Sequence, residues 1–293
     1  MALHDDFNLA LIGFGEAGCA FFEGWRLAGR GRVRAFDIKT DVPQSRAEMQ
    51  ARYDENGVVG CQSPGAALAG ADVVFSLVTA DQALAAAEAA APHLSRNAYW
   101  FDCNSCAPDT KRAAAVAIER AGGRYVDVAV MAPVHPRLHQ TPLYASGPAA
   151  AEACEVLKSL DMRPRIMGMR VGDASAIKML RSVMIKGIEA LCAECFLAAR
   201  KADVEDAVLA SLTDSDPELQ WAKRGAYSLE RMMVHGARRA AEMREIAATL
   251  RGLGLPERMS AAAAEWQDQI AALGLEAGPS DLAQRADRIL SKL

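Results

Sequence analysis

The sequence has no block of clustered lysines and arginines. It has no apolar stretch near the roughly 20 residues that a membrane-spanning helix needs, and no cysteine spacing that reads as a disulfide framework. Each absence removes a class of function. Lys plus Arg number 33 against 37 Asp plus Glu, a formal net charge of −4, so the concentrated cations that neutralise nucleic-acid phosphates are missing and nucleic acid is not an expected partner. No membrane span is expected either. The apolar stretch 7–14 follows Asp5 and Asp6 instead of a basic segment and runs into glycines, unlike a secretory signal, so a cytoplasmic protein is expected. Seven cysteines, an odd number, suit reduced thiols. The pairs Cys103/Cys106 and Cys192/Cys195 have no histidine companions, and the second lies in a helical segment. Buried inert thiols are therefore expected in place of a zinc site, and no metal is assigned.

What is present is an ordinary globular composition. Apolar residues make up 51% and charged residues 24% of 293, which excludes a disordered chain and leaves length for two domains. Strand-like runs at 9–12, 33–37, 73–78, 99–102, 125–130 and 143–146 are separated by Ala-rich helical stretches such as 82–91 and 110–121. Several runs are continuously apolar, as in parallel sheets covered on both faces. Alternating strands and helices predict a doubly wound α/β domain over residues 1–170. Beyond about residue 170 the strand pattern stops. A helix is expected over 174–202, about 44 Å long at roughly 1.5 Å per residue, long enough to link domains or span a subunit interface. Further helices are expected at 217–236, 237–250, 256–273 and 280–293, with Asp173, Asp216 and Ser280 as caps. Residues 171–293 are read as an all-helical second domain.

Residues Gly13, Phe14, Gly15, Glu16, Ala17 and Gly18 form G-x-G-x-x-G between a strand and a helical run. The first glycine permits the tight turn, the second lets backbone approach a pyrophosphate, and the third lets helix pack on strand, with the helix N-terminus favouring the anion. Asp37 ends the next strand and suits ribose hydroxyls, while its charge repels a 2′-phosphate. NAD is thus favoured over NADP, although Lys39 and Lys111 offer charge to a phosphate. Thr79, after the strand at 73–78, either faces the cofactor or caps the next helix. Asn104 and Ser105, in Asp102-Cys103-Asn104-Ser105-Cys106-Ala107-Pro108, bring an amide and a hydroxyl to the same sheet edge. They suit either a substrate carboxylate or hydroxyl, or local capping. Lys178, Ser182 and Lys186 share one face of an otherwise apolar helix. Lys178 is there either a snorkelling lysine or, if desolvated, a proton-transfer group.

Taken together, these residues resemble the β-hydroxyacid dehydrogenase family of 3-hydroxyisobutyrate dehydrogenase and the shorter relatives of 6-phosphogluconate dehydrogenase. The resemblance covers the glycine turn, the 102–108 motif, the lysine segment 172–182 and the helical C-terminal part. It implies an NAD(P)-binding Rossmann domain and a long interdomain helix. It also implies dimers or tetramers built through the helical domain, and hydride transfer with a small carboxylate-bearing 3-hydroxy acid, with Lys178 as general acid/base. Three departures touch the substrate side. Ser182 stands where the family usually has asparagine. The stretch 131–139 replaces a Ser-Gly-Gly-type loop, and there His135 and Arg137 either bind an acid or form a surface loop, His135 being also a candidate for proton transfer. His235 and Arg239 stand where a Lys-Asp pair is common, and either reach substrate or lie on a solvated face. An imine reductase on the same scaffold and a non-catalytic nucleotide-binding protein are the alternative readings.

Overall fold

The computed structural model describes residues 7–25 and 32–293. The described residues form two compact units, divided after Met179.

The first unit carries an eight-stranded sheet of β1 (Asn8–Ile12), β2 (Arg32–Phe36), β3 (Val59–Gly60), β4 (Val73–Ser76), β5 (Tyr99–Asp102), β6 (Arg124–Val130), β7 (Pro142–Ser146) and β8 (Arg163–Gly168), in the order β3-β2-β1-β4-β5-β6-β7-β8. All pairs are parallel except β6 with β7. The helices between them are α1 (Glu16–Trp25), α2 (Pro43–Asn56), α3 (Pro64–Leu68), α4 (Ala83–Ala90), α5 (Pro108–Arg120) and α6 (Ala150–Ser159). The order 3-2-1-4-5-6 of the first six strands is the doubly wound Rossmann arrangement, in which ligands lie beyond the carboxyl ends where the order reverses, here between β1 and β4. The apolar runs behave as expected of strands covered twice. Leu9, Leu11, Phe75, Phe101 and Val126 enter one core and Ala10, Ile12, Val74, Trp100 and Tyr125 the other, alternating along each strand.

The sequence reading overlaps six of these strands and misses two. β3 is only two residues long, and β8 is an exposed edge whose Arg163, Pro164 and Arg165 carry no apolar pattern. The sheet is also not wholly parallel, since β7 returns antiparallel to β6.

The long helix α7 (Asp173–Lys201) follows β8. The expected domain boundary at 170/171 precedes it, whereas the compact units divide inside it, because its first turn is hydrogen-bonded to the sheet through Asp127 and Ser146. Those bonds also replace the expected cap: the Asp173 carboxylate turns back to the Arg170 N–H at 3.3 Å and to its guanidinium at 3.1 Å.

The second unit, 180–293, continues α7 and adds α8 (Glu205–Ser215), α9 (Trp221–Gly252), α10 (Arg258–Ala272) and α11 (Leu282–Leu290) around a core including Phe196, Leu229, Met232, Ile270 and Ile289. Two caps move by position. Asp216 closes α8 instead of opening a helix, and Asp281, next to Ser280, accepts from the Gln284 N–H at 2.9 Å. The two helices expected at 217–236 and 237–250 are one. Gly236 is not a stop but a point of close approach, where an added Cβ would lie 2.6 Å from the Gln267 carbonyl oxygen and 2.8 Å from the Ala271 Cβ. Gly236→Ala is therefore expected to destabilise the protein by about 1–3 kcal/mol, read from the midpoint of chemical denaturation. No helix among the described residues is long and apolar enough to cross a membrane.

Candidate functional site

The strand register lines up the site. Phe36, Ile12, Ser76 and Asp102 are successive cross-strand partners, so Asp37, Gly13, Leu77 and Cys103 follow at one sheet edge.

At the first turn, Gly13 has φ +93° and an added Cβ would sit 2.6 Å from the Leu77 carbonyl oxygen. At Gly18 a Cβ would meet the Gly13 carbonyl oxygen at 2.8 Å, whereas at Gly15 none of the described residues lies within 4 Å. Two glycines are thus demanded by the chain itself, and the third faces open space beside the start of α1. Phe14 is buried and packs its ring on Tyr53 at 5.5 Å between centroids. Glu16 is exposed and Ala17 half-buried in the first turn of α1. Asp37 is braced as well: one carboxylate oxygen accepts from the Phe14 N–H at 2.8 Å, the other from the Lys39 N–H at 3.0 Å. Its own N–H donates to the Tyr53 hydroxyl at 2.8 Å. An open glycine at a helix N-terminus, flanked by a fixed carboxylate at the end of β2, is the donor and acceptor set that a dinucleotide requires. These residues fit the cofactor implied by the sequence.

Thr79 is exposed at the head of a short turn. Bonds from Gln82 and then from Thr79 hold the Asp81 carboxyl below its ordinary range.

Asn104 is buried, and its amide is taken. Its Oδ1 accepts from the Val78 N–H at 2.7 Å, and its Nδ2 donates to the Ser76 hydroxyl at 2.9 Å and to Asp102 at 2.8 Å. With both donors in use, the amide braces the loops after β4 and β5, in keeping with the local role that was one of the two the sequence leaves open. Ser105 differs: half-buried, its hydroxyl accepts from Lys178 Nζ at 2.5 Å. The lysine, also half-buried, therefore reaches the sheet edge that carries the glycine turn, within one compact unit.

Beneath this edge lies a polar layer the sequence reading did not identify. Ser76, Asp102, Asp127 and Ser146 stand at one register across β4, β5, β6 and β7, all wholly buried. Lys111, on α5 and likewise wholly buried, donates to the Asp102 carbonyl at 2.6 Å and carboxylate at 2.8 Å. It also makes an ion-pair contact with Asp127 Oδ1 at 3.4 Å. Tyr125 donates to the other Asp102 oxygen at 2.7 Å. Asp127 Oδ2 accepts from the Gly172 and Ser175 N–H groups at 3.1 and 3.0 Å, and from the Ser175 and Ser146 hydroxyls at 2.8 and 3.0 Å. Burial works against the Lys111 charge, but Asp102 foremost, with Asp127, outweighs it and holds the ammonium above the usual lysine range. Lys111 is therefore not available to a cofactor phosphate, contrary to the sequence expectation. Burial pushes the neighbouring Cys103 thiol up to about 12, against the pull of Lys111, so it is protonated and inert at neutral pH.

His135 and Arg137 are exposed in the loop after β6. Ser182 is buried one turn after Lys178 on α7, within the helical unit. Arg239 does not lie on a solvated face. It is buried and forms a two-bond ion pair with Glu189, its Nε at 2.8 Å, beside a Lys186–Glu242 pair at 3.0 Å.

Residues 8–159 match the family described as the NAD binding domain of 6-phosphogluconate dehydrogenase, and residues 199–270 match a domain of unknown function (DUF1932). A conserved hypothetical protein of Sinorhizobium meliloti is 38% identical, with 98% of this chain and 97% of that one covered at a TM-score of 0.73. A conserved protein of unknown function, described as structurally similar to 3-hydroxyacid dehydrogenases, is 30% identical over 92% of this chain and 99% of its own, at a TM-score of 0.68. The 3-hydroxyisobutyrate dehydrogenase of Mycobacterium tuberculosis, solved with L-serine, shares the fold at 17% identity and a TM-score of 0.72, covering 98% and 99%. An uncharacterised protein of Methanothermus fervidus is 28% identical over 145 residues, about half of this chain and 55% of its own length.

Proposed function

The chain belongs to the β-hydroxyacid dehydrogenase family, and from that premise we propose that it is an NAD(P)-dependent oxidoreductase acting on a small 3-hydroxy acid or its oxo form, with Lys178 as general acid/base. The observation that carries this reading is the contact of Lys178 Nζ with Ser105 Oγ at 2.5 Å, at the sheet edge that also bears the glycine turn.

The bound nicotinamide supplies hydride transfer. The chain supplies the rest. The backbone of residues 13–18 cradles the pyrophosphate at the N-terminus of α1, and Asp37, held by two N–H donors, addresses the adenosine ribose. In the oxidative direction the neutral Lys178 amine takes the substrate hydroxyl proton, and in the reductive direction the ammonium returns it. Ser105 orients that nitrogen. The carboxylate of the substrate is assigned to groups of the loop after β6, where His135 and Arg137 are exposed. The enzyme is expected to work as a homodimer or homotetramer built through its helical domain.

The test is a substrate screen read by the near-ultraviolet absorbance of reduced nicotinamide, with NAD and NADP against hydroxy acids, aldehydes and imines. Turnover of a 3-hydroxy acid supports the reading. Turnover confined to imines transfers the site to C=N reduction, and tight cofactor binding without turnover of any of them removes catalysis.

Cofactor choice carries its own prediction. Asp37 places a negative charge where a 2′-phosphate would lie, so NAD is expected to bind better than NADP. Asp37→Ser keeps an acceptor for ribose and removes the charge. It is expected to shift the ratio of the two dissociation constants toward NADP by about tenfold, measured by fluorescence titration of the reduced forms.

A further inference from the structure

Lys111 looks at first like a structural cation, yet its position joins two elements that no short contact along the chain would join. The loop bearing Ser105 is held by Asp102, which accepts from the Asn104 N–H at 3.0 Å and from its side-chain amide. The start of α7, five residues before Lys178, is held by Asp127 through Gly172 and Ser175. Asp102 and Asp127 are register partners on β5 and β6, both wholly buried, and one ammonium meets both. The ammonium donates to the Asp102 carbonyl and carboxylate, and its charge lies 3.4 Å from Asp127 Oδ1, a buried oxygen that accepts no hydrogen bond among the described residues.

We propose that Lys111 is a positioning residue: its buried ammonium locks Asp102 to Asp127, fixes the 103–107 loop against the first turns of α7, and so sets the meeting of Lys178 Nζ with Ser105 Oγ. This rests on the reading of Lys178 as the proton-transfer group. Two carboxylates side by side in a dry sheet repel one another unless a cation lies between them. Asp127 in addition draws on the unpaired N–H groups of α7, so its exact place decides where the helix begins. A displacement of that start by a fraction of a turn moves Lys178, little more than one turn on, away from Ser105.

The test uses the charge-balanced double variant Lys111→Met with Asp102→Asn, which removes one cation and one anion together. It also uses Ser175→Ala, which deletes one of the four hydrogen bonds to Asp127 Oδ2 and changes no charge. Both are labelled with trace acetic anhydride, and the Lys178 peptide is quantified by mass spectrometry against exposed Lys201 as internal reference. The proposal expects Lys178 labelling to rise at least about threefold in the double variant and in the same direction in Ser175→Ala, as the Ser105 contact is lost. It also expects kcat to fall while the NADH dissociation constant stays within about twofold. An unchanged labelling ratio in either folded variant overturns it, and if the double variant does not fold, Ser175→Ala decides alone. The labelling does not depend on turnover. Absence of NADH binding in the wild-type protein would therefore defeat the functional reading without touching the positioning claim.

Discussion

Lys178→Met is expected to lower turnover about a hundred- to ten-thousandfold, the range lost when a positioned acid/base is removed. Methionine matches the apolar stem of lysine closely, and the site is half-buried, so the variant keeps the packing of α7 and removes only the nitrogen that meets Ser105. NADH affinity should change by less than about twofold. The glycine turn is held by bonds in which Lys178 takes no part: the Gly13 N–H to the Phe36 carbonyl at 2.8 Å, and the Phe14 N–H to Asp37. Lys178→Arg sharpens the reading. It preserves a cation that cannot be deprotonated at working pH, so it should be as inactive as the methionine variant if the role is proton transfer, and partly active if the role is charge alone. Steady-state kinetics of the three proteins on the hydroxy acid found by the screen, with NADH titrations alongside, measures both quantities.

The second large effect separates the glycines of the turn. Gly13→Ala forces a side chain into a positive-φ position with the Leu77 carbonyl oxygen 2.6 Å from its Cβ. Backbone strain and overlap together are expected to cost about 3 kcal/mol or more, enough to unfold much of a marginal domain. Gly15→Thr should behave in the opposite way. A Cβ at Gly15 would meet nothing among the described residues within 4 Å, and the Gly15 carbonyl accepts the first bond of α1 from the Cys19 N–H at 3.0 Å, which makes it the N-cap. Glycine and threonine are nearly equal there, so stability should change by no more than about 0.5 kcal/mol. The threonine side chain would instead occupy the approach to the turn, and NADH affinity should fall at least about tenfold. Thermal melts and fluorescence titrations of the two variants are predicted to give these opposite patterns. Unchanged NADH affinity in a folded Gly15→Thr would place the dinucleotide elsewhere.

The parts of the molecule visible in the sequence are those where local pattern and tertiary environment agree. The run 9–12 is apolar at every step, and 73–78 and 99–102 are broken only by Ser76 and Asp102, because both faces of their strands are covered, and the three glycines recur at a spacing that serves one turn. The edge strand β8 was hidden because an exposed edge tolerates Arg163, Pro164 and Arg165. α9 was cut in two because glycine usually ends a helix, and nothing local reveals that Gln267 and Ala271 of another helix press on Gly236. At the site, residue types were legible and partners were not. Asn104 reads as a free amide until Val78, Ser76 and Asp102 are seen to saturate it. Arg239 reads as either a reaching or a solvated cation until Glu189 is found fifty residues earlier in the chain. One signal was present and unread: Asp127 interrupts the apolar run Tyr125-Val126-Asp127-Val128, and a carboxylate inside a doubly covered strand must have strong partners. Which partners depended on Ser175 and Gly172, more than forty residues away.

The most direct test of the account is a crystal structure of the protein with NADH bound. The pyrophosphate is expected on the amides of residues 13–18, Asp37 on the adenosine ribose, and the nicotinamide ring beside Lys178 and Ser105. A dinucleotide bound away from the glycine turn, or a nicotinamide ring remote from the Lys178 nitrogen, would contradict it.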